Sequence, residues 1–274
     1  MTSVAEALAG ARGRGIASLD AQLLLARVLA TTRTGLIAND DRLLGDDEAR
    51  RWTDLATRRA DGEPIAYLLG EKEFCGLMLD VRAGVLVPRP ETEMLVDWAA
   101  ELLHGQTRPT VLDLGTGSGA IALALKRRCP QAAVTATDAS AVALAVARAN
   151  AARLGLDVEF LAASWWDGSQ ARRFDLVVAN PPYVAAGDPH LAALRHEPPE
   201  ALVSGADGLE ALSTIAQGAV DHLEADGWLL LEHGFDQGAA VRALLATAGL
   251  AEIETRLDLA GHERVTGGCR RPAR

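Results

Sequence analysis

Cysteine is scarce: Cys75, Cys129 and Cys269 are the only three in 274 residues, and no CxxC pair occurs. An odd number at wide spacing signals neither a zinc site nor a disulfide framework, so reduced thiols of a cytoplasmic protein are expected. No apolar run approaches the roughly 18 residues of a membrane-spanning helix, and no membrane partner is expected. The first 30 residues carry several charges and no apolar core with a cleavage site, so no signal peptide is read. His190, His196 and His233 have no HxxxH spacing, which makes them surface or hydrogen-bonded histidines, with no metal ligand set. Basic residues are outnumbered, 27 against 37, for a net charge of −10. That balance argues against affinity built on phosphate neutralisation, so no direct nucleic-acid binding is expected.

What is present is an ordinary globular composition, 49% apolar and 23% charged, long enough for one large or two modest domains. Residues 1–72 read as about five short helices. Segment 3–12 is alanine-rich, Leu19 to Ala30 is apolar nearly all round behind a cap at Ser18, and Asp46 to Ala60 is highly charged with Trp52 and Leu55 on one side. Residues 73–88 alternate Leu77, Leu79 and Val81 with Met78 and Asp80, with glycines at 76 and 84, as a β-hairpin linker would. From residue 89 to 274 the rhythm is strand, turn, helix, from a helix at Glu91–Leu103 to closing strands near Glu252–Asp258 and Glu263–Gly268. Short apolar strands alternating with helices point to an α/β domain with a mostly parallel sheet covered on both faces.

Three motifs carry chemistry. Asp113-Leu114-Gly115-Thr116-Gly117-Ser118-Gly119 lies between a strand and a helix, where glycines let backbone approach a ligand closely. Its GxGxG spacing lacks a P-loop lysine, and such loops serve dinucleotides as well as adenosylmethionine. Asp138 ends the next strand, 23 residues after Gly115, where an acid can accept both ribose hydroxyls of an adenosine. The competing reading of Asp138 is helix-start chemistry ahead of Ser140. Asn180-Pro181-Pro182-Tyr183 follows the apolar strand Asp175–Ala179. Its prolines remove two N–H donors, leaving carbonyl oxygens and the Asn180 side chain as acceptors. Such a set suits a substrate offering two hydrogens from one planar nitrogen, with Tyr183 as a flat face. Held by Asn180 Oδ1 and the Pro181 carbonyl, that nitrogen would face a sulfonium methyl for in-line displacement, driven by orientation and charge stabilisation.

Together with Arg89-Pro90-Glu91-Thr92-Glu93, the run Gly70–Glu93 and Gly261-His262-Glu263-Arg264, these motifs resemble the glutamine methyltransferases of peptide chain release factors, the PrmC/HemK family. The resemblance covers nearly the whole chain. It implies a Rossmann-like S-adenosylmethionine-dependent methyltransferase domain at 89–274, a small all-helical domain at 1–72 that docks class I release factors, and the hairpin linker at 73–88. The implied acceptor is the glutamine N5 of a Gly-Gly-Gln motif. Carried over position by position, Gly115, Thr116, Gly117, Ser118, Gly119, Asp138, Trp165 and Asn180 would bind S-adenosyl-L-methionine. Asn180, Pro181, Pro182 and Tyr183 would hold the amide. Trp165, 15 residues before Asn180, would flank the adenine, with Trp166 one position off. The sequence departs from the family at Ser164, where an acid is usual, and in the tail Gly268-Cys269-Arg270-Arg271.

Two other readings share parts of this pattern. An adenine N6-methyltransferase uses the same NPPY chemistry on a flat exocyclic amine, but would bring a basic cleft and base-flipping apparatus. A non-catalytic nucleotide-binding module would not need Asn180 and Tyr183. Arg89 and Glu91 read either as helix-start residues around Pro90 or as a wall of the ligand pocket. The segment His196-Glu197-Pro198-Pro199 is expected to be a solvated loop.

Overall fold

The computed structural model describes residues 2–169 and 172–271 of the chain. Contacts divide it into two units, Met1–Glu71 and Lys72–Arg274.

The first unit holds α1 (Val4–Gly13), α2 (Ser18–Val28), α3 (Arg33–Ala38), α4 (Asp46–Ala60) and α5 (Ile65–Leu69). Leu24, Leu25, Leu36, Leu44 and Trp52 are among the side chains that close its core. The helix ends are chemically marked. Ser3 and Glu6 form a reciprocal capping box on α1. Helix α4 opens on Asp46, Asp47 and Glu48 and closes on Arg58 and Arg59, matching the helix dipole at both ends. Contrary to the expectation from sequence, Ser18 does not cap α2; it is the first helical residue, and Ala17 takes the cap position without a side-chain bond. A hydroxyl beside a helix start is a cap only when its own backbone is non-helical.

The second unit opens with a hairpin shorter than the pattern suggests. Strands β1 (Glu71–Phe74) and β2 (Leu77–Asp80) flank Cys75 and Gly76, which sit at φ 48° and 77°, the left-handed pair that a two-residue hairpin turn requires. Residues 81–89 are irregular, and Val81, Val85 and Val87 are buried outside any strand. Apolar alternation there reflects packing, not pairing.

The rest alternates strands and helices. These are α6 (Glu93–Leu102), β3 (Thr110–Leu114), α7 (Ala120–Arg128), β4 (Ala133–Asp138), α8 (Ala141–Leu154), β5 (Glu159–Ala162), β6 (Phe174–Ala179), α9 (Glu210–His222), β7 (Leu223–Glu232), α10 (Gly238–Thr247), β8 (Ala251–Leu257) and β9 (Glu263–Cys269). The seven strands run in the order β5-β4-β3-β6-β7-β9-β8. Strands β3 to β7 are parallel, and β9 pairs antiparallel with both neighbours. Side chains on the two sheet faces fill two cores. Val111, Leu123, Leu95 and Trp98 belong to one, with α6 and α7. Leu112, Leu114, Ile215 and Val241 belong to the other, with α9 and α10. The chain winds one way through β3, β4 and β5, then returns to place β6 on the other side of β3. This Rossmann-like winding opens a crevice beyond the carboxyl ends of β3 and β6.

Candidate active site

Register brings the motifs to one level. Leu114 pairs with Thr137 of β4 and with Ala179 of β6, and Ala179 pairs with Leu231 of β7. The next residues, Gly115, Asp138, Asn180 and Glu232, therefore leave or end four adjacent strands together. Across the sheet edge the order is Asp138, Gly115, Asn180, Glu232.

The first two build a backbone-lined half. Gly115, Gly117 and Gly119 lie at φ 73°, 57° and 85°, a region that side-chain-bearing residues rarely adopt. The amides of Gly115 and Thr116 both donate to the Thr137 carbonyl at 2.9 Å. Asp138 accepts from the Gly117 amide at 2.8 Å and from the Ser140 amide at 2.8 Å. Burial pushes its pKa up, against those two bonds. Ser140 caps α8 through Ala143, while Asp138 braces both that cap residue and the glycine loop. Beneath the loop Asp113 is fully buried; it accepts from the Thr116 hydroxyl at 2.6 Å and the Ala122 amide at 3.2 Å. Burial pushes Asp113 up to about 7.

A cleft of about 820 Å³, counting space open to solvent, lies over this edge. Gly115, Gly117, Asp138, Ser164, Trp165, Asn180, Pro181 and Pro182 line it. Thr116 and Ser118 are buried behind the loop, and Gly119 caps α7, so they shape the loop without lining the cleft. The tryptophan pair divides. Trp165 lines the cleft, and a Cβ at Gly115 would meet its ring at 3.5 Å. Trp166 turns away, stacked on His222 at 4.5 Å with its Nε1 donating to the Thr214 carbonyl.

The other half is held by side chains. Asn180 Nδ2 donates to Thr92 Oγ1 at 3.0 Å. Tyr183 does not line the cleft; its ring packs against the α9–α10 core, and its carbonyl accepts from Gln237 Nε2 at 3.0 Å. Burial, with the Glu232 charge nearby, pushes the Tyr183 phenol up to about 12. Arg89 and Glu197 prove to be partners 108 residues apart, with Nη2 to Oε1 at 2.5 Å, and Glu197 Oε2 accepts the Val87 amide at 3.1 Å. This corrects the expectation of a solvated loop at 196–199: Glu197 is buried, and Pro198 and Glu200 line the cleft. Pairing with Arg89 is what admits the carboxylate to the interior. Glu91 does not line the cleft, though its charge raises the pKa of Glu232 and of Tyr183.

Sequence reasoning missed Thr92 and Glu232. Glu232 is 1% exposed at the end of the apolar run Trp228-Leu229-Leu230-Leu231. The signal was the one that marked Asp138, an acid closing a buried strand at the same edge. His233 is buried as well. Its Nδ1 donates to the Gly234 carbonyl, so Nε2 accepts from the Thr266 hydroxyl, each at 2.8 Å, and burial holds its pKa down.

Residues 92–205 match the family model described as "Methyltransferase small domain", and residues 2–70 match "PrmC N-terminal domain". A release factor glutamine methyltransferase of Bordetella pertussis is 49% identical over 93% of this chain and 95% of its own length. One of Burkholderia pseudomallei is 48% identical over 94% and 93%. Among solved structures the catalytic domain of hMettl16 superposes with a TM-score of 0.57 over 81% of each chain, at 17% identity, a likeness of fold.

Proposed function

The chain belongs to the release factor glutamine methyltransferase family, and on that premise we propose that it transfers a methyl group from S-adenosyl-L-methionine to the N5 amide nitrogen of the Gly-Gly-Gln glutamine of peptide chain release factors. The observation that carries this reading is the level placement of Gly115, Asp138 and Asn180 on one cleft. An adenosine-bearing cofactor fits the first two. Glycines at positive φ allow close approach, and Asp138 keeps lone pairs beyond those used by Gly117 and Ser140 for a ribose diol. Ser164 and Trp165 stand where an adenine would lie. When bound, the cofactor supplies an electrophilic sulfonium methyl.

The chain's own residues select and orient the nitrogen. The Asn180 amide spends its Nδ2 on Thr92, which leaves Oδ1 as an acceptor for one substrate N–H. The Pro181 carbonyl takes the other, and two acceptors in a fixed geometry hold an NH₂ group's lone pair toward the cofactor. Tyr183 and Pro182 back this loop and exclude water. The phenol, pushed up to about 12, stays neutral and is no general base at working pH. Residues 1–72 dock the factor, 73–88 link, and 89–274 carry out the chemistry, in a cytoplasmic protein.

The test is incubation with labelled cofactor, release factor and duplex DNA together, followed by mass spectrometry of the Gly-Gly-Gln peptide. One added methyl on that glutamine is expected. Label in DNA and none in the factor would refute the reading. Asn180→Ala should abolish transfer, roughly a thousandfold or more for an oriented polar contact, while cofactor binding stays within a few-fold.

A further inference from the structure

Glu232 has no part in the scheme above, yet it is built into the same edge. It closes β7, one strand over from Asn180. Its carboxyl is 1% exposed, it lies beside the side chains of Thr92 and of Asn180 at the end of the adjacent strand, and its Oε2 takes no hydrogen bond among the described residues. Thr92 is 4% exposed and already accepts from Asn180 Nδ2 at 3.0 Å. A hydroxyl that accepts in this way has one hydrogen left to donate, and the carboxyl beside it is the acceptor.

We propose that Glu232 is a positioning residue that, with Thr92, sets which way the Asn180 amide faces, so that its oxygen and not its NH₂ is presented to the acceptor nitrogen. The proposal rests on the function proposed above. An ionised carboxylate only accepts, so the neighbouring amide must turn its NH₂ inward. Were the amide reversed, Oδ1 would face the carboxylate and the NH₂ would meet the substrate's own NH₂, donor against donor. An asparagine has no intrinsic preference between its two orientations, which differ by a half-turn about one bond. The buried acid supplies that preference from the strand behind it. The charges of Glu91 and Arg264 act on the carboxyl with opposite signs, and its own charge acts on Tyr183; among the described residues none of the three has a hydrogen bond to Asn180. Burial raises the acid toward neutrality, to about 7. A protonated carboxyl can donate as well as accept, and the preference then weakens.

Two variants and two readouts test this. Glu232→Met fills the space without an acceptor, and replacing a buried acid by an apolar group of similar volume tends to leave a protein folded. It should lower kcat about a hundredfold, the scale of misorienting a reacting group, with cofactor Kd and the KM for the factor within about threefold. Glu232→Gln accepts and donates like the protonated acid, so its kcat should lie between that of Glu232→Met and the parent, at the level the parent reaches at low pH. The parent's kcat should fall as pH drops through about 7, and that limb should be missing in Glu232→Gln. Independently of any acceptor, the Asn180 side-chain NH₂ resonances of the free enzyme should be shifted and slow to exchange in the parent and in Glu232→Gln, and free in Glu232→Met. A Glu232→Met enzyme with kcat within twofold of the parent, or Asn180 resonances unmoved in that variant, overturns the proposal. If the parent fails to methylate the factor, the proposed function falls and the spectrum alone decides the positioning role.

Discussion

Two acids flank the reacting edge, and they are held in opposite ways. Asp138, at the end of β4, takes backbone amides from Gly117 and Ser140 and lines the cleft. Glu232, two strands beyond Gly115, lies beside the side chains of Thr92 and Asn180 and is sealed from solvent. Backbone amides cannot be mutated away and hardly move, so they suit the half proposed to recognise a constant cofactor. Side-chain partners can be aimed, and they suit the half proposed to orient a weakly nucleophilic nitrogen. Beneath the glycine loop Asp113 accepts from the Thr116 hydroxyl and the Ala122 amide, whereas on the other side Gln237, at the start of α10, holds the Tyr183 carbonyl.

The sharpest way to break this contrast is Asp138→Ala. It leaves the Gly117 and Ser140 amides without their acceptor and takes the proposed ribose contacts with it. At about 1.5–3 kcal/mol per hydrogen bond to a charged group, cofactor affinity should fall at least a hundredfold by calorimetric titration. The kcat at saturating cofactor should stay within a few-fold, the reverse of the Glu232→Met pattern. Equal losses in both quantities from both variants would show that the two halves are one rigid unit.

Gly208→Ala attacks the acceptor half through its backbone. Gly208 lies at φ 78°, and a Cβ there would overlap the Tyr183 carbonyl oxygen and come within 2.7 Å of Gln237 Nε2. Left-handed backbone costs about 1–2 kcal/mol for an alanine, and overpacking about 1–3 kcal/mol more. Thermal unfolding should register a loss of that order. Turnover should fall with it as the NPPY loop shifts, while cofactor affinity, set on the other side of the edge, changes by less than about twofold. A matching fall in cofactor affinity would contradict the separation.

How much of each half was legible follows from the same contrast. The glycine loop and Asp138 could be read because their partners lie close along the chain: Gly117 and Asp138 are 21 residues apart, and Asp138 and Ser140 two. Glycine is also one of the few residues whose conformational role is written in its identity. The NPPY motif was visible for its prolines, but its supports were not. Thr92 lies 88 residues from Asn180 and Glu197 108 from Arg89, and nothing in local pattern links such pairs. The motif presents Tyr183 as a flat face for a planar group, and the packing of its ring against α9 and α10 could not be read from it. Residues 81–89 misled in the same way, since burial of alternate valines imitates a strand wherever a covered surface passes by.

The smallest expected effect separates the two acids by their charge cost. Glu232 is raised from an ordinary 4.5 to about 7 by burial, so the folded protein holds its proton more tightly than the unfolded chain does. Stability from this group is fully present below the unfolded value and is lost as pH rises through the folded one, with a ceiling of about 3 kcal/mol for a rise of this size. Asp113, raised from 3.8 to about 7, adds a slope of the same sign. Glu232→Gln removes only the first contribution. Its melting temperature relative to the parent should therefore climb between about pH 5 and pH 8, with a residual slope left to Asp113 and Asp138, both also raised by burial. A parent and variant whose melting curves run parallel across that window would mean that Glu232 is already stabilised as an anion, by Thr92, Asn180 and Arg264. It would then orient Asn180 at every working pH and not only above its own pKa.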